Sequence, residues 1–277
     1  MPRQYRNGEG FVGRSEALPW RGEKLCEKRM GCVDVTTDQA GPLALVGSGE
    51  YLPVMADIEA GLLSGRSPRY VQIATAAVPD GPTTLERWHR LGVEQAERLG
   101  VTPVTVPVAT REDANDPGIV ELIEGAGLIY LSGGNPNFLA ETLRGTRLWS
   151  AIEAQWRSGA ALAGCSAGAM VMAAWVPTIR HPREGGTPGL GLLAHLRVVP
   201  HFDAFVKRMP EVLTRFLVGH DEALTVVGVD ENTALVGGPY EWLVQGQSSA
   251  WILQGKERQE FHAGDILRTP AASGTVQ

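Results

Sequence analysis

A run of small residues between two apolar stretches limits most strongly how this chain can fold. Ala160 to Ala163 and Ala169 to Val176 are apolar, and Gly164-Cys165-Ser166-Ala167-Gly168 lies between them. This G-x-S-x-G pattern suits a strand that turns sharply into a helix, with the serine strained at the apex and its hydroxyl exposed. A side chain at 164 or 168 would collide with the neighbouring strand or with the start of the helix, which glycine avoids. The amide of Ala167 then falls at the start of the helix, where it can donate to a developing oxyanion. Small-residue turns between strand and helix are common in α/β proteins, so the pattern is a hypothesis that its surroundings must support.

The surroundings are those of an α/β protein. Apolar strands are expected at Leu43 to Val46, Tyr70 to Ala74, Val104 to Val108, Leu128 to Leu131, Leu196 to Val199 and Leu224 to Val229. Helical patterns separate them: Thr83 to Leu99 with a threonine N-cap, Asp116 to Gly125 opened by Pro117, Asn137 to Leu143, Leu148 to Arg157, and Phe205 to Val218. Strands alternating with helices predict a mainly parallel sheet covered on both faces. Trp242 to Leu267 alternates short β segments with glycines and reads as hairpins that finish the domain. Pro177 to Gly191 is rich in proline and glycine, a length of loop that often serves as a lid or binding loop.

Residues 1–40 differ from this. Seven basic and six acidic residues are mixed there with isolated apolar positions, and no period survives. That stretch is expected to be a disordered or loosely docked extension, with 41–277 forming a single domain. The 277 residues carry a formal net charge of -6, which argues against a nucleic-acid partner. No apolar run approaches the roughly 18 residues of a membrane-spanning helix, and the N-terminus lacks a signal-peptide core, so no membrane partner and a cytoplasmic location are expected. The three cysteines, Cys26, Cys32 and Cys165, have neither a disulfide-framework nor a zinc spacing. No His/Asp/Glu cluster has metal-ligand spacing, so neither a metal nor another cofactor is expected.

A serine hydroxyl needs a base. In open parallel sheets, sites form at the carboxyl ends of strands, and His201 directly follows an expected strand there. Glu231 follows another and would hold the imidazole of His201 in the right tautomer. Gly133-Gly134-Asn135 follows a third, and its glycine amides can approach a substrate and donate to an oxyanion. Gly47-Ser48-Gly49-Glu50 lacks the spacing and the lysine of a phosphate loop. It reads as a tight turn lining the pocket, with Glu50 placed to contact a substrate amine. Arg180, His181 and Arg183 are candidates for a substrate carboxylate, against the plainer reading of a solvated loop. Cys165, one residue before the apex, should point into the sheet as a buried thiol.

Four stretches carry a resemblance. Leu131-Ser132-Gly133-Gly134-Asn135, Gly164-Cys165-Ser166-Ala167-Gly168-Ala169, Gly189-Leu190-Gly191-Leu192-Leu193 leading to Pro200-His201-Phe202, and Gly228-Val229-Asp230-Glu231-Asn232-Thr233-Ala234-Leu235 occur in this order. In this the chain resembles the peptidase S51 family, which includes the α-aspartyl dipeptidases and the cyanophycinases. The resemblance implies an α/β three-layer sandwich with a mainly parallel sheet, of the class I glutamine amidotransferase-like, flavodoxin-related kind. It implies Ser166 as nucleophile, His201 as base, Glu231 as third member, and oxyanion amides from Gly134 and Ala167. Gly133, Asn135 and Glu50 are expected to line the substrate site. The order serine, histidine, acid differs from the serine, acid, histidine order of α/β-hydrolases.

The expected function is therefore a serine peptidase cleaving an amide beside an aspartyl residue, in a dipeptide or a cyanophycin-like chain. A small peptide is the expected partner, and a homodimer is left open. Pro200-His201-Phe202 looks closer to the dipeptidase branch and Asp230 to Ala234 closer to the cyanophycinase branch, so the substrate and the α or β linkage stay open. Two other readings stay open with them: a catalytically silent binding or regulatory module on the same scaffold, and an amidotransferase-like enzyme using Cys165.

Overall fold

The computed structural model describes residues 40–177, 186–206, 224–254 and 257–270. The expectations placed on residues 1–39, on Cys26 and Cys32, on Arg180, His181 and Arg183, and on most of the helix at 205–218 lie outside these residues.

The first strand, Leu43–Val46 (β1), shows how the layers arise. Successive strand side chains point to opposite faces. Leu43 and Leu45 enter one core cluster, while Ala44 and Val46 enter another. Alternation between two apolar cores is what a strand covered on both sides requires. The chain continues through Ala56–Leu63 (α1), Arg69–Ile73 (β2), Pro82–Arg98 (α2), Thr102–Thr105 (β3), Pro117–Glu121 (α3) and Leu128–Leu131 (β4). Then come Pro136–Leu143 (α4), Arg147–Arg157 (α5), Ala161–Cys165 (β5) and Ala167–Val171 (α6). Trp175–Pro177 (β6) and Gly186–Pro188 (β7) pair as a hairpin. Leu196–Val199 (β8), Phe202–Val206 (α7), Thr225–Val229 (β9), Thr233–Gly237 (β10), Glu241–Gly246 (β11), Ser249–Gln254 (β12), Glu257–His262 (β13) and Ile266–Arg268 (β14) follow.

The large sheet has the order β14-β11-β10-β1-β5-β4-β2-β3. Its half from β1 to β3 is parallel, and β10, β11 and β14 extend it antiparallel. On one face, Ile58 and Leu62 of α1 and Trp88 and Leu91 of α2 pack on Tyr70, Tyr130 and Ala163. On the other, Leu139 and Leu143 of α4, Ile152 of α5 and Met170 of α6 join Leu45, Ile73 and Ile129. Each large apolar side chain so buried contributes on the order of 1.5–3 kcal/mol. These are three layers around a mainly parallel sheet, as the sequence predicts.

Several elements differ from expectation. A second sheet, β13-β12-β9-β8, stands apart from the first, so the strands before His201 and Glu231 do not belong to the sheet that ends in Ser166. Helix α1 was not expected. Its inward face carries Glu59, which interrupts the apolar period among Ile58, Leu62 and Leu63. Helix α2 opens after Gly81 (φ 93°) with Pro82 in its first turn rather than with a threonine cap, and the Thr84 hydroxyl donates instead to the Asp80 carbonyl. Strand β3 ends at Thr105, short of the expected Val108. The two described ends of the proline- and glycine-rich stretch form the β6–β7 hairpin.

Candidate active site

Strand β5 ends at Cys165, and α6 begins at Ala167. Ser166 alone makes the turn, with φ 50° and ψ −108°, a conformation that non-glycine residues adopt only when neighbours over-determine it. Those neighbours are visible. The Ser166 amide donates to Val46 of β1, and its carbonyl accepts from Met170. A Cβ on Gly164 would run into the backbone of Gly168, and one on Gly168 into the carbonyl of Leu131. The two glycines let strand, turn and helix close up, and the serine is left at the apex.

His201 also has positive φ (49°) and lies between β8 and α7. Its position is set from below by Phe202, whose ring sits on Gly228 of β9, where a Cβ would come within 2.6 Å. His201 Nε2 is 3.1 Å from Ser166 Oγ, and His201 Nδ1 is 2.9 Å from Glu231 Oε1. An ionised carboxylate only accepts hydrogen bonds, so Nδ1 carries the proton and the neutral ring presents Nε2 as acceptor to the serine hydroxyl. The structure thus brings together three residues whose strands lie in two different sheets.

The turn that carries Glu231 is held at several points. Its amide donates to Asp203 Oδ1 at 3.1 Å. The preceding Asp230 is buried and accepts from the Ser249 amide and the Trp251 indole. Burial pushes the Asp230 carboxyl above its usual value, and those two donors pull it back. Gly47 and Gly49, after β1, let the chain pass against the backbone of Asp230 and the side chain of Asn232. Asp203, Asp230 and Trp251 were not anticipated as supports. The signal available was an acidic residue two positions after His201 and another directly before Glu231.

After β4, Gly133 is buried and Gly134 is exposed with φ 138°. A Cβ on Gly134 would strike the backbone carbonyl of Ala76. Among the described residues, neither the Gly134 N–H nor the Ala167 N–H takes part in a hydrogen bond. Asn135 is exposed, but its Oδ1 accepts from the Phe138 amide and caps α4.

Glu50 sits differently from its expected place. It is nearly buried, and both carboxylate oxygens are engaged inside the protein: Oε1 accepts from the Gly133 amide at 2.9 Å and Oε2 from the Cys165 thiol at 2.7 Å. It therefore stands behind the serine turn rather than presenting a free oxygen to a substrate amine. Cys165 is fully buried, and burial together with Glu50 raises its thiol well above the ordinary value. A thiol held protonated and pointed at a carboxylate is not an attacking group. Among the described residues, no three His, Cys, Asp or Glu side chains group as metal ligands, and no helix is long and apolar enough to cross a membrane.

A hydroxyl, an imidazole and a carboxylate stand in series on a layered α/β scaffold, and the match to a peptidase family sets the class as peptidases. Residues 43–238 match Peptidase family S51, and the chain belongs to that family. A peptidase from an acI-B1 Actinobacterium, known from its crystal structure, is 43% identical over 83% of this chain and 97% of its own, with a TM-score of 0.77. A candidate peptidase E from Listeria monocytogenes EGD-e shares the fold at 16% identity, over 81% of this chain and 100% of its own, with a TM-score of 0.53. No curated protein matches the sequence.

Proposed function

We propose that this peptidase uses Ser166, His201 and Glu231 as a catalytic triad to cut an amide beside an aspartyl residue in a small peptide or a cyanophycin-like chain. The observation that carries the reading is the continuous contact from Ser166 Oγ through His201 to Glu231, at 3.1 Å and 2.9 Å. Ser166 Oγ attacks the amide carbon while its proton passes to His201 Nε2. Glu231 stabilises the imidazolium that forms. The amides of Gly134 and Ala167, both without a partner among the described residues, receive the oxyanion. His201 then returns the proton to the leaving amine, and water repeats the sequence on the acyl-enzyme. Gly133 supports the oxyanion loop from behind. Asn135 has its amide nitrogen available at the rim, because only its oxygen is needed for the cap.

The test is a panel of α- and β-aspartyl dipeptides, with free amino acid followed by mass spectrometry and Ser166→Ala run alongside. Wild type is expected to hydrolyse one linkage class. The variant should lose at least about a thousandfold in kcat with an unchanged circular dichroism spectrum. Turnover by Ser166→Ala at the wild-type rate would remove the serine from the reaction. Silence of wild type across the panel, with Ser166 still reactive to a fluorophosphonate, would keep the triad and move the substrate to another acyl group.

A further inference from the structure

We propose that Glu50 is a positioning residue for this reaction, locking the oxyanion loop against the serine turn from behind. The inference rests on the triad reading above and deepens it. The carboxylate bridges two segments that must keep register during the reaction. Oε1 accepts from Gly133, directly before the oxyanion residue Gly134, and Oε2 accepts from Cys165, directly before Ser166. A third segment enters because Glu50 itself lies in the loop after β1, the strand that pairs with β5 and whose Val46 accepts from the Ser166 amide.

Gly133 is what lets the carboxylate come this near. A Cβ there would lie 2.6 Å from Glu50 Oε1 and 3.4 Å from Ser166 Cβ, so carboxylate and nucleophile both lie against the residue at 133. Tying the Gly133 N–H backward leaves the next amide, Gly134 N–H, without a partner among the described residues and turned to other use. If that tie is cut, the buried Gly133 amide must find another acceptor. The rotation this requires displaces Gly134 from where the oxyanion develops. Oxyanion donors act through fixed placement, and their loss typically lowers kcat by about 10²–10³. A displaced donor costs part of that, and it does so in the transition state rather than in the bound substrate.

The experiment follows Glu50→Ala, Glu50→Gln and Glu50→Met by two readouts: the labelling rate of Ser166 with a fluorophosphonate, and kcat and KM on the dipeptide found active. Glu50→Ala should lower both the labelling rate and kcat by about 10–100-fold, with KM within about threefold. Glu50→Gln keeps one oxygen to accept from Gly133 and should recover at least about tenfold over alanine. If Glu50→Ala does not fold, Glu50→Met, which fills the same volume without an acceptor, takes its place with the same expectation. Wild-type rates in the alanine or methionine variant, or a defect confined to KM, overturn the proposal. The second result would mean direct contact with substrate. If wild type itself resists the fluorophosphonate, or Ser166→Ala is labelled equally fast, the triad reading falls and takes this one with it. If wild type is labelled and the Glu50 variants match it, only the role of Glu50 falls.

Discussion

Single residues carry the sharpest contrasts between what the sequence implies and where the chain places them. Ser166, His201 and Glu231 are legible because each follows a strand, and a strand end is a local feature. The collisions expected at Gly164 and Gly168 are present, the first against the start of α6 and the second against β4. Glu50 is not legible as a support, because its partners stand 83 and 115 residues further along the chain and nothing near it marks them. Gly168→Ala, which presses a methyl group into the carbonyl of Leu131, is expected to cost about 1–3 kcal/mol, read as a lower melting temperature. Cys165→Ser keeps a donor to Glu50 and should retain activity within about tenfold of wild type. Abolition of turnover in Cys165→Ser, with Ser166→Ala still active, would reverse the assignment of the nucleophile.

Among the elements, strands with buried, unbroken apolar runs were plain, and helices with a polar residue on the inner face were not. Helix α1 has Ile58 and Leu62 at helical spacing, but Glu59 stands between them and is buried to the same degree, so periodicity alone passes over it. Glu59 is tolerated there because Tyr70 of β2 and Gln95 of α2 both donate to its Oε2. Gly61 in the same helix has open space where a Cβ would go and an ordinary backbone, so Gly61→Ala should stabilise the protein by about 0.5–1 kcal/mol in chemical denaturation. Asn135→Ala removes the α4 cap at 3.1 Å and should cost about 1 kcal/mol, whereas Asn135→Asp should not. An unchanged midpoint for Asn135→Ala would show that the cap contributes nothing.

For the molecule as a whole, the parallel half of the large sheet could be read from alternating strands and helices, whereas its division from a second sheet could not. The sequence holds no sign of which neighbour β8 and β9 choose, since both are short, valine-rich and buried along their whole length, which suits either sheet. Stability should carry the signature of the core that joins α1, α2 and β2. Burial pushes Glu59 up to about 7 from 4.5; Gln95, Tyr70 and Arg98 oppose the shift, and Glu50 adds to it. Its proton is therefore held in the native state and released on unfolding between those two values. The contribution is complete below about pH 4.5, falls by about 1.4 kcal/mol per pH unit, and is lost as pH passes 7. Glu59→Gln lacks this slope, so the unfolding free energy of wild type minus that of the variant should fall by about 3 kcal/mol from pH 4.5 to 7.5. A difference that stays constant with pH would mean that Glu59 titrates alike in both states. The wide spacing of the site along the chain has a consequence for synthesis. Ser166 meets its histidine and carboxylate only once residue 231 exists, and β1 gains its second neighbour only with β10 at 233–237. On the triad proposed above, a nascent chain that has not reached residue 201 therefore holds a serine with no base. Hydrolytic power arrives late, close to the moment when the polypeptide can close its own sheet and withstand it.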